Sequence, residues 1–222
     1  MKRITEPEIM DDQEQVRAYA LADFEEPHSH FISLLRERLA FLPETGHALD
    51  LGCGSGDITR RFALAFPGWT VDGIDGSQTM LDAARNLAVR ERIDARATFM
   101  EVLLPSPPPP ESKYDLIISN SLLHHLQDPA IFWNSLVEWS GTNAHVFVMD
   151  LMRPENSVQA RAMVEKYSGA EPAILKTDFF NSLLAAFEPE EIAAQLEQAS
   201  LDQLKSEVVS DRHIIVWGAI TS

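Results

Sequence analysis

The sequence has one cysteine, few basic residues and no long apolar run. Each of these shortages excludes a kind of site, partner or cellular location. A single cysteine, Cys53, cannot form an intrachain disulfide or a cysteine-rich metal site, so we expect a cytoplasmic protein without a metal centre. No apolar stretch approaches the length of a membrane span. The N-terminal MKRITEPEIMDD also lacks the apolar core of a signal peptide, so we expect no membrane association.

Basic residues are outnumbered, with 18 Lys and Arg against 34 Asp and Glu and a net charge of −16. Nucleic-acid binding needs clustered cations, and the densest basic stretches, 36–38 and 85–96, are interleaved with acidic or apolar residues. We therefore expect a small-molecule substrate and no nucleic-acid partner. The 222 residues, 45% of them hydrophobic, suffice for one globular domain with a sizeable core.

Apolar patterns along the chain predict alternating strands and helices. This alternation predicts an α/β fold with a mostly parallel sheet. Two further helices divided by Pro27 are predicted over 13–41, and a terminal antiparallel hairpin over 204–210 and 213–219. The predicted strands cover 48–51, 70–74, 97–103, 114–119 and 145–151, and the predicted helices 57–66, 77–89, 129–139, 155–167 and 188–199.

Residues 48–59, ALDLGCGSGDIT, form the most informative stretch. An apolar run containing Asp50 leads into alternating glycines and then into a helical pattern that begins at Asp57. A strand, a glycine turn and a helix N-terminus present backbone N–H groups to a ligand. The spacing differs from both the P-loop and the G-x-G-x-x-G dinucleotide fingerprint. The three glycines are Gly52, Gly54 and Gly56.

Two further patterns follow later strands. Asp75 ends the second predicted strand, where a carboxylate can accept hydrogen bonds from ribose hydroxyls or simply start the next helix as a turn residue. The segment Tyr114–Leu126, YDLIISNSLLHHL, places Asn120 at a strand end just before a histidine pair.

With these motifs, the chain resembles the class I S-adenosylmethionine-dependent methyltransferases, in motif I at 48–59 and in motif IV at 114–126. The resemblance implies a Rossmann-like seven-stranded sheet with helices on both faces, and S-adenosylmethionine as cofactor. We predict one domain over 1–222. Its parts are a helical N-terminal cap at 1–41, a cofactor-binding core at 45–152, a lid insert at 153–187, and a last helix with the hairpin at 188–222.

The resemblance also implies a cofactor-binding set. Met80 would pack on adenine, although a methionine at helical spacing is otherwise core. Many relatives place an acid after the third strand, whereas this chain offers only Glu101, a residue equally suited to a solvent-facing position. Cys53 is expected to be a small apolar filler rather than a nucleophile. The predicted set is Asp50, Gly52, Cys53, Gly54, Gly56, Asp75, Gly76, Met80, Glu101, Val102, Leu103, Ser119 and Asn120.

Four residues are candidates for the reacting centre: Asn120, His124, Tyr167 and Asn181. An imidazole can act as a general base near neutral pH, but the histidine pair also fits a buttressing role. Aromatic rings from the lid can stabilise a sulfonium cation by roughly 0.5–2 kcal/mol.

Three functions are compatible with this sequence. The first is methyl transfer to a small-molecule acceptor, in which the protein orients the acceptor and excludes water. The second is suggested by a looser similarity to enzymes that cyclise S-adenosylmethionine to azetidine-2-carboxylate and release methylthioadenosine. The third is a non-catalytic cofactor-binding protein. The acceptor and the choice between monomer and homodimer stay open.

Overall fold

The computed structural model describes residues 1–6, 18–19, 22, 24–107 and 113–220. Its centre is a seven-stranded sheet with the strand order β3-β2-β1-β4-β5-β7-β6. The strands are β1 (Gly46–Leu51), β2 (Trp69–Asp75), β3 (Ala97–Glu101), β4 (Tyr114–Asn120), β5 (Ser140–Leu151), β6 (Lys205–Val208) and β7 (His213–Ala219).

The first five strands run parallel, with β1 between β2 and β4. Asp50 in β1 lies opposite Gly73 of β2 and Ile118 of β4. The core residues Leu49 and Ile117 are fully buried, as strands covered on both faces require. The carboxyl ends of these strands therefore form one edge, where ligands bind in open α/β sheets.

The last two strands close the sheet as an antiparallel pair. β7 pairs with β5, so that Val216 lies opposite Val148, and with β6 on its other side. The predicted Rossmann-like sheet with a terminal hairpin is confirmed. None of the described helices is both long enough and apolar enough to cross a membrane.

Seven α-helices and a short 3₁₀ turn, Leu123–His125, occur among the described residues. Polar N-caps position several of them. The Ser77 hydroxyl accepts the Met80 N–H at 3.3 Å, and the Asp128 carboxylate accepts the Ala130 N–H at 3.0 Å. The α-helices are α1 (Glu25–Arg38), α2 (Asp57–Ala65), α3 (Gln78–Glu91), α4 (Pro129–Trp139), α5 (Ser157–Ser168), α6 (Ala173–Ala185) and α7 (Pro189–Gln198).

The helices bury a separate core on each face of the sheet. On one face, Phe31 of α1 meets Phe147 of β5 edge-on, with ring centroids 5.0 Å apart. On the other, the fully buried Trp133 and Trp139 of α4 pack against the sheet near Ile192 of α7. Aromatic rings supply much of the apolar area that fixes these helices in place.

Some predictions differ from the structure. Pro27 lies in the first turn of α1, where its missing N–H is not needed, rather than between two helices. Most of the first helix predicted within 13–41 lies outside the described residues. Strand β3 ends at Glu101, so Val102 and Leu103 belong to the following loop. The segment 153–187, predicted to be a lid insert, also contains α6, a helix that was not predicted from the sequence. The segment 7–17 and residues 108–112 lie outside the described residues.

The N-terminal residues 1–6 contact the C-terminal end of α6 and the residues that follow it. The Ile4 N–H donates to the Leu184 carbonyl at 3.0 Å, and the Arg3 guanidinium lies 4.0 Å from the centre of the Phe187 ring. Arg3 also donates to the carbonyls of His124 and Leu126, both at 2.8 Å. This segment thereby links α6 to the turn that follows β4.

Arg153, just after β5, holds the junction of α6 and α7. Its side chain is 3% exposed and lies 3.0 Å from Glu188 and 2.9 Å from Glu191. It also donates to the Ala186 carbonyl at 3.0 Å.

We predict that Arg153→Gln lowers the free energy of unfolding by roughly 2–3 kcal/mol, because a buried carbonyl and two carboxylates lose their charged donor. Urea unfolding followed by circular dichroism measures this loss. Arg90→Gln is the matched control, since Arg90 is 73% exposed, and it should stay within about 0.5 kcal/mol of the wild type. Equal stabilities for the two variants would contradict the assignment.

Candidate active site

The glycine turn joins β1 to α2 and is held against β2. The N–H groups of Gly52 and Cys53 both donate to the Ile74 carbonyl at 2.9 Å. Gly54 adopts φ +51°, and a Cβ there would meet no protein atom within 4 Å. Gly56 adopts φ +84°, but its missing Cβ would lie 2.8 Å from the Ala84 Cβ of α3. Gly54 therefore faces open space, whereas Gly56 allows close helix packing.

Asp75 connects this turn to the end of β2. One carboxylate oxygen accepts the Gly54 N–H at 2.9 Å, and the other accepts the Ser77 N–H at 2.9 Å. Both bonds fix the carboxylate between the turn and the first residues before α3. A ligand that reaches the turn must then pass beside a positioned negative group.

Two buried groups lie beneath the turn. Asp50 accepts a hydrogen bond from the Thr59 hydroxyl at 2.5 Å, and burial raises the pKa of Asp50 to about 7. The Cys53 thiol is 7% exposed, and burial raises its pKa well above the usual range. A thiol that resists ionisation is a poor nucleophile, in agreement with the role of Cys53 as a filler.

The end of β4 contributes a second polar surface. The Asn120 Oδ1 atom is buried and has no hydrogen-bond partner among the described residues. Ser121 follows at φ +57°, a conformation that non-glycine residues rarely adopt and that is often found at functional sites. Ser119, by contrast, donates its hydroxyl to the Leu51 carbonyl at 2.7 Å and is fully buried.

These elements enclose a cavity of about 680 Å³ at the carboxyl edge of the sheet. That volume lies in the range typical of small-molecule sites. The floor is formed by the glycine turn and the ends of β2 and β4, and the walls by α1, α5 and α6. Aromatic side chains from the walls line it: Tyr19, Phe24, Tyr167 and Phe179.

The histidine pair forms part of the wall and is anchored from behind. His124 Nδ1 lies 2.5 Å from Asp150 Oδ1, and although burial opposes it, Asp150 raises the pKa of His124. His124 Nε2 and His125 Nδ1 lie 3.5 and 3.2 Å from Glu6 Oε1. Ser182 donates to the same Glu6 oxygen at 3.0 Å.

The three groups Glu6, His124 and His125 place their ligand-type atoms within 4.8 Å of one another. This spacing would suit a metal ion, although none is predicted from the sequence. The Glu6 carboxylate also contacts both imidazoles directly. In either case the imidazole of His124 is oriented by Asp150.

Comparisons with known proteins agree with this geometry. Residues 49–146 match the family model described as "Methyltransferase domain". Over these residues the chain is similar to a methyltransferase domain.

Curated methyltransferases are similar to part of this chain. Trans-aconitate 2-methyltransferase of Delftia acidovorans is 40% identical over 89 residues, which are 39% of this chain and 32% of the relative. Malonyl-[acyl-carrier protein] O-methyltransferase of Halalkalibacterium halodurans is 30% identical over 96 residues, 43% of this chain and 35% of the relative. The chain thus spans about a third of the length of the curated relatives it matches.

Solved structures share the fold of nearly the whole chain. An S-adenosylmethionine-dependent methyltransferase from Aquifex aeolicus has a TM-score of 0.68 at 17% identity, with 93% of this chain and 98% of that chain covered. The plantazolicin methyltransferase BpumL, crystallised with S-adenosylhomocysteine, has a TM-score of 0.65 at 14% identity, with 95% and 86% covered.

Most of the predicted site residues line this one cavity. Among the cofactor set they are Asp50, Gly52, Cys53, Gly54, Asp75, Gly76, Met80, Val102, Leu103 and Asn120, and among the catalytic set Asn120, His124 and Tyr167.

Four predicted residues do not line the cavity. Gly56 packs on α3, Ser119 is bonded within the sheet, and Glu101 is exposed at the end of β3. Asn181 lies on the exposed side of α6, because the helical turn that buries Ser182 directs its neighbour outward. The structure therefore gives no support to a catalytic role for Asn181.

Several residues in the cavity lining or behind it were missed by sequence reasoning. Glu6 and Asp150 reach the histidine pair from distant parts of the chain, and Arg212 and His213 enter from the turn between β6 and β7. A charged residue at the end of an apolar strand was the only signal for Asp150. For Glu6 and Arg212, no local pattern distinguished them from surface charges.

The raised pKa of Asp50 predicts a pH-dependent stability. Because its folded pKa of about 7 exceeds the unfolded value of 3.8, ionising Asp50 costs stability as the pH rises through that window. Asp50→Asn keeps an acceptor for Thr59 and removes the charge. Relative to this variant, the wild type should lose up to about 4 kcal/mol between pH 4 and pH 8.

Urea unfolding at several pH values measures the difference. Asp94→Asn, at an exposed position, serves as the control and should follow the wild-type profile. If Asp50→Asn shows the same pH profile as the wild type, Asp50 is already ionised without penalty in the folded protein.

Proposed function

We propose that the chain is an enzyme that binds S-adenosylmethionine along the floor of the cavity and directs its methyl group to a small-molecule acceptor held by the walls. The observation that carries the proposal is the alignment along one cavity of the open Gly54 position, the fixed Asp75 carboxylate and the unpartnered Asn120 oxygen. The names of the relatives and of the structural neighbours support the same chemistry for this family.

The residues present fit this cofactor. A buried acceptor without a partner, Asn120 Oδ1, suits a ligand that brings an ammonium donor. The open space beside Gly54 lets a ligand approach the backbone where any side chain would intrude. Asp75, at the end of β2, is placed to accept hydrogen bonds from ribose hydroxyls.

The adenine end would lie against Met80, Val102 and Leu103, which are brought together at the next strand end. The Val102 N–H already donates to the Asp75 carbonyl at 3.0 Å, so it does not donate a hydrogen bond to the adenine base. Packing of Met80 on the ring therefore contributes more there than that backbone donor.

When bound, the sulfonium supplies an electrophilic methyl group, so the protein's task is to orient the acceptor and to exclude water. The aromatic walls, with Tyr19, Tyr167 and Phe179, provide surfaces that favour a cation and exclude solvent. Asp150 fixes the orientation of His124 in the wall between floor and lid.

We further propose a small acceptor in a cytosolic setting rather than a nucleic acid. The net charge of −16 opposes a polyanion, and the carboxylates at the cavity mouth, including Glu25 and Glu171, would repel a phosphate backbone. A filter-binding assay with RNA and DNA at low salt should show no retention.

The direct test is a product analysis by mass spectrometry. Purified protein is incubated with S-adenosylmethionine alone and then with pooled small-molecule acceptors. We expect S-adenosylhomocysteine only when an acceptor is present. If S-adenosylmethionine alone yields methylthioadenosine and azetidine-2-carboxylate, the reaction is cyclisation of the cofactor and not methyl transfer. Binding of the cofactor without turnover in any mixture would indicate a non-catalytic protein.

The two glycines give a matched test of the cofactor cradle. Gly54→Ala should cost only about 1–2 kcal/mol of stability, from its positive φ, but should weaken S-adenosylmethionine binding at least roughly tenfold. Gly56→Ala should instead destabilise the fold by more than about 2 kcal/mol, because its Cβ meets Ala84.

Isothermal titration calorimetry and thermal unfolding separate the two effects. Unchanged affinity in a folded Gly54→Ala variant would mean that the cofactor does not approach the turn.

A further inference from the structure

Arg212 is unusual among the residues that surround the cavity. It is the only lysine or arginine among the described residues that line it. Its neighbour His213 adds no charge near neutral pH, because burial lowers the pKa of His213 to about 4. The carboxylates that share the lining are Glu25, Glu26, Asp50, Asp57, Asp75 and Glu171.

The Arg212 guanidinium is held in one orientation. It lies 3.4 Å from the centre of the Tyr167 ring, and the Tyr167 hydroxyl donates to Asp211 at 2.6 Å. The Arg212 N–H donates to the Ser210 hydroxyl at 3.2 Å, and its carbonyl accepts the Met152 N–H at 2.8 Å. Stacking occupies a face of the guanidinium and leaves its edge of N–H donors available to a ligand.

The described acidic neighbours compensate this charge weakly. Nη1 lies 3.5 Å from Asp211 Oδ1, and Nη2 lies 4.0 Å from Glu26 Oε2, on side chains that are 44% and 87% exposed. The Arg212 side chain is only 11% exposed. A largely buried guanidinium with long, solvent-exposed partners gains most from a ligand that accepts two hydrogen bonds in its plane.

We propose that Arg212 binds a carboxylate group of the acceptor, which makes the substrate class of this cavity a small carboxylic acid. The inference rests on the proposed function, since it takes the floor of the cavity as the cofactor site. In this proposal Arg212 supplies, on the lid side of the same cavity, the positive charge that the floor lacks.

The position of Arg212 in the sheet favours the acceptor over the cofactor as the source of the carboxylate. Asn120 ends β4, whereas Arg212 precedes β7, where His213 pairs with Leu151 at the end of β5. Two strand spacings, about 10 Å in all, separate these positions. Arg212 also stacks on a ring of α5, which is part of the lid rather than of the glycine turn.

The test uses matched pairs of probes that differ in charge but not in shape: benzoate with benzamide, and propionate with propionamide. Protein saturated with S-adenosylhomocysteine is titrated with each probe and followed by NMR of its ¹⁵N-labelled backbone and arginine Nε–H groups. We expect each acid to bind at least tenfold more tightly than its amide. Arg212→Gln should abolish this preference, and Arg212→Lys should retain part of it.

Arg161→Gln is the control for a lost arginine–aromatic contact, because Arg161 lies 5.2 Å from the centre of the Phe180 ring and outside the cavity lining. It should bind the acids as the wild type does. Circular dichroism and thermal unfolding establish whether each variant is folded. If Arg212→Gln does not fold, the binding preference of Arg212→Lys still tests the proposal.

Three outcomes overturn the proposal. One is equal binding of acids and amides by the wild type, and another is an acid preference that survives in Arg212→Gln. The third is weakened binding of S-adenosylhomocysteine by Arg212→Gln with unchanged binding of methylthioadenosine, which lacks the carboxylate, because Arg212 would then hold the cofactor. Failure of the wild type to bind S-adenosylhomocysteine would instead refute the proposed function itself.

Discussion

The carboxylate of Asp75 is the point on which the site depends. By accepting the Gly54 and Ser77 N–H groups, it fixes the turn after β1 to the end of β2 and to the start of α3. The Asp75 carbonyl accepts the Val102 N–H and brings in the loop after β3 as well. Three consecutive strand ends are thereby set relative to one another before any ligand arrives, which is the preorganisation that binding sites require.

Charge is distributed unevenly around this framework. The floor and mouth of the cavity carry carboxylates, a buried carboxylate lies beneath the turn, and the histidine wall is flanked by Asp150 and Glu6. Aromatic rings fill the remaining wall. Such a cavity favours a cationic part of a ligand near the carboxylates. On the lid side, Arg212 favours an anionic group instead.

The parts of the structure that the sequence predicted are those encoded by local patterns. Buried strands, the glycine turn and the helix caps depend on neighbouring residues, so β1, β2 and β4 and the approach to Asp75 could be inferred directly. The lid could not. Helix α6 has a weak amphipathic pattern because several of its sides are buried, so its sequence does not indicate that Asn181 faces outward. Contacts such as Glu6 with His125 join residues more than a hundred positions apart and leave no local signal.

The segment of residues 1–6 has a consequence for how the molecule is assembled during synthesis. Arg3 and Glu6 support the histidine turn and α6, while Arg212 enters the same cavity from the far end of the described chain. A nascent chain can pair its first five strands while the cavity still lacks its outer wall. The early residues must therefore wait for the histidine turn and for α6, which are synthesised more than a hundred positions later.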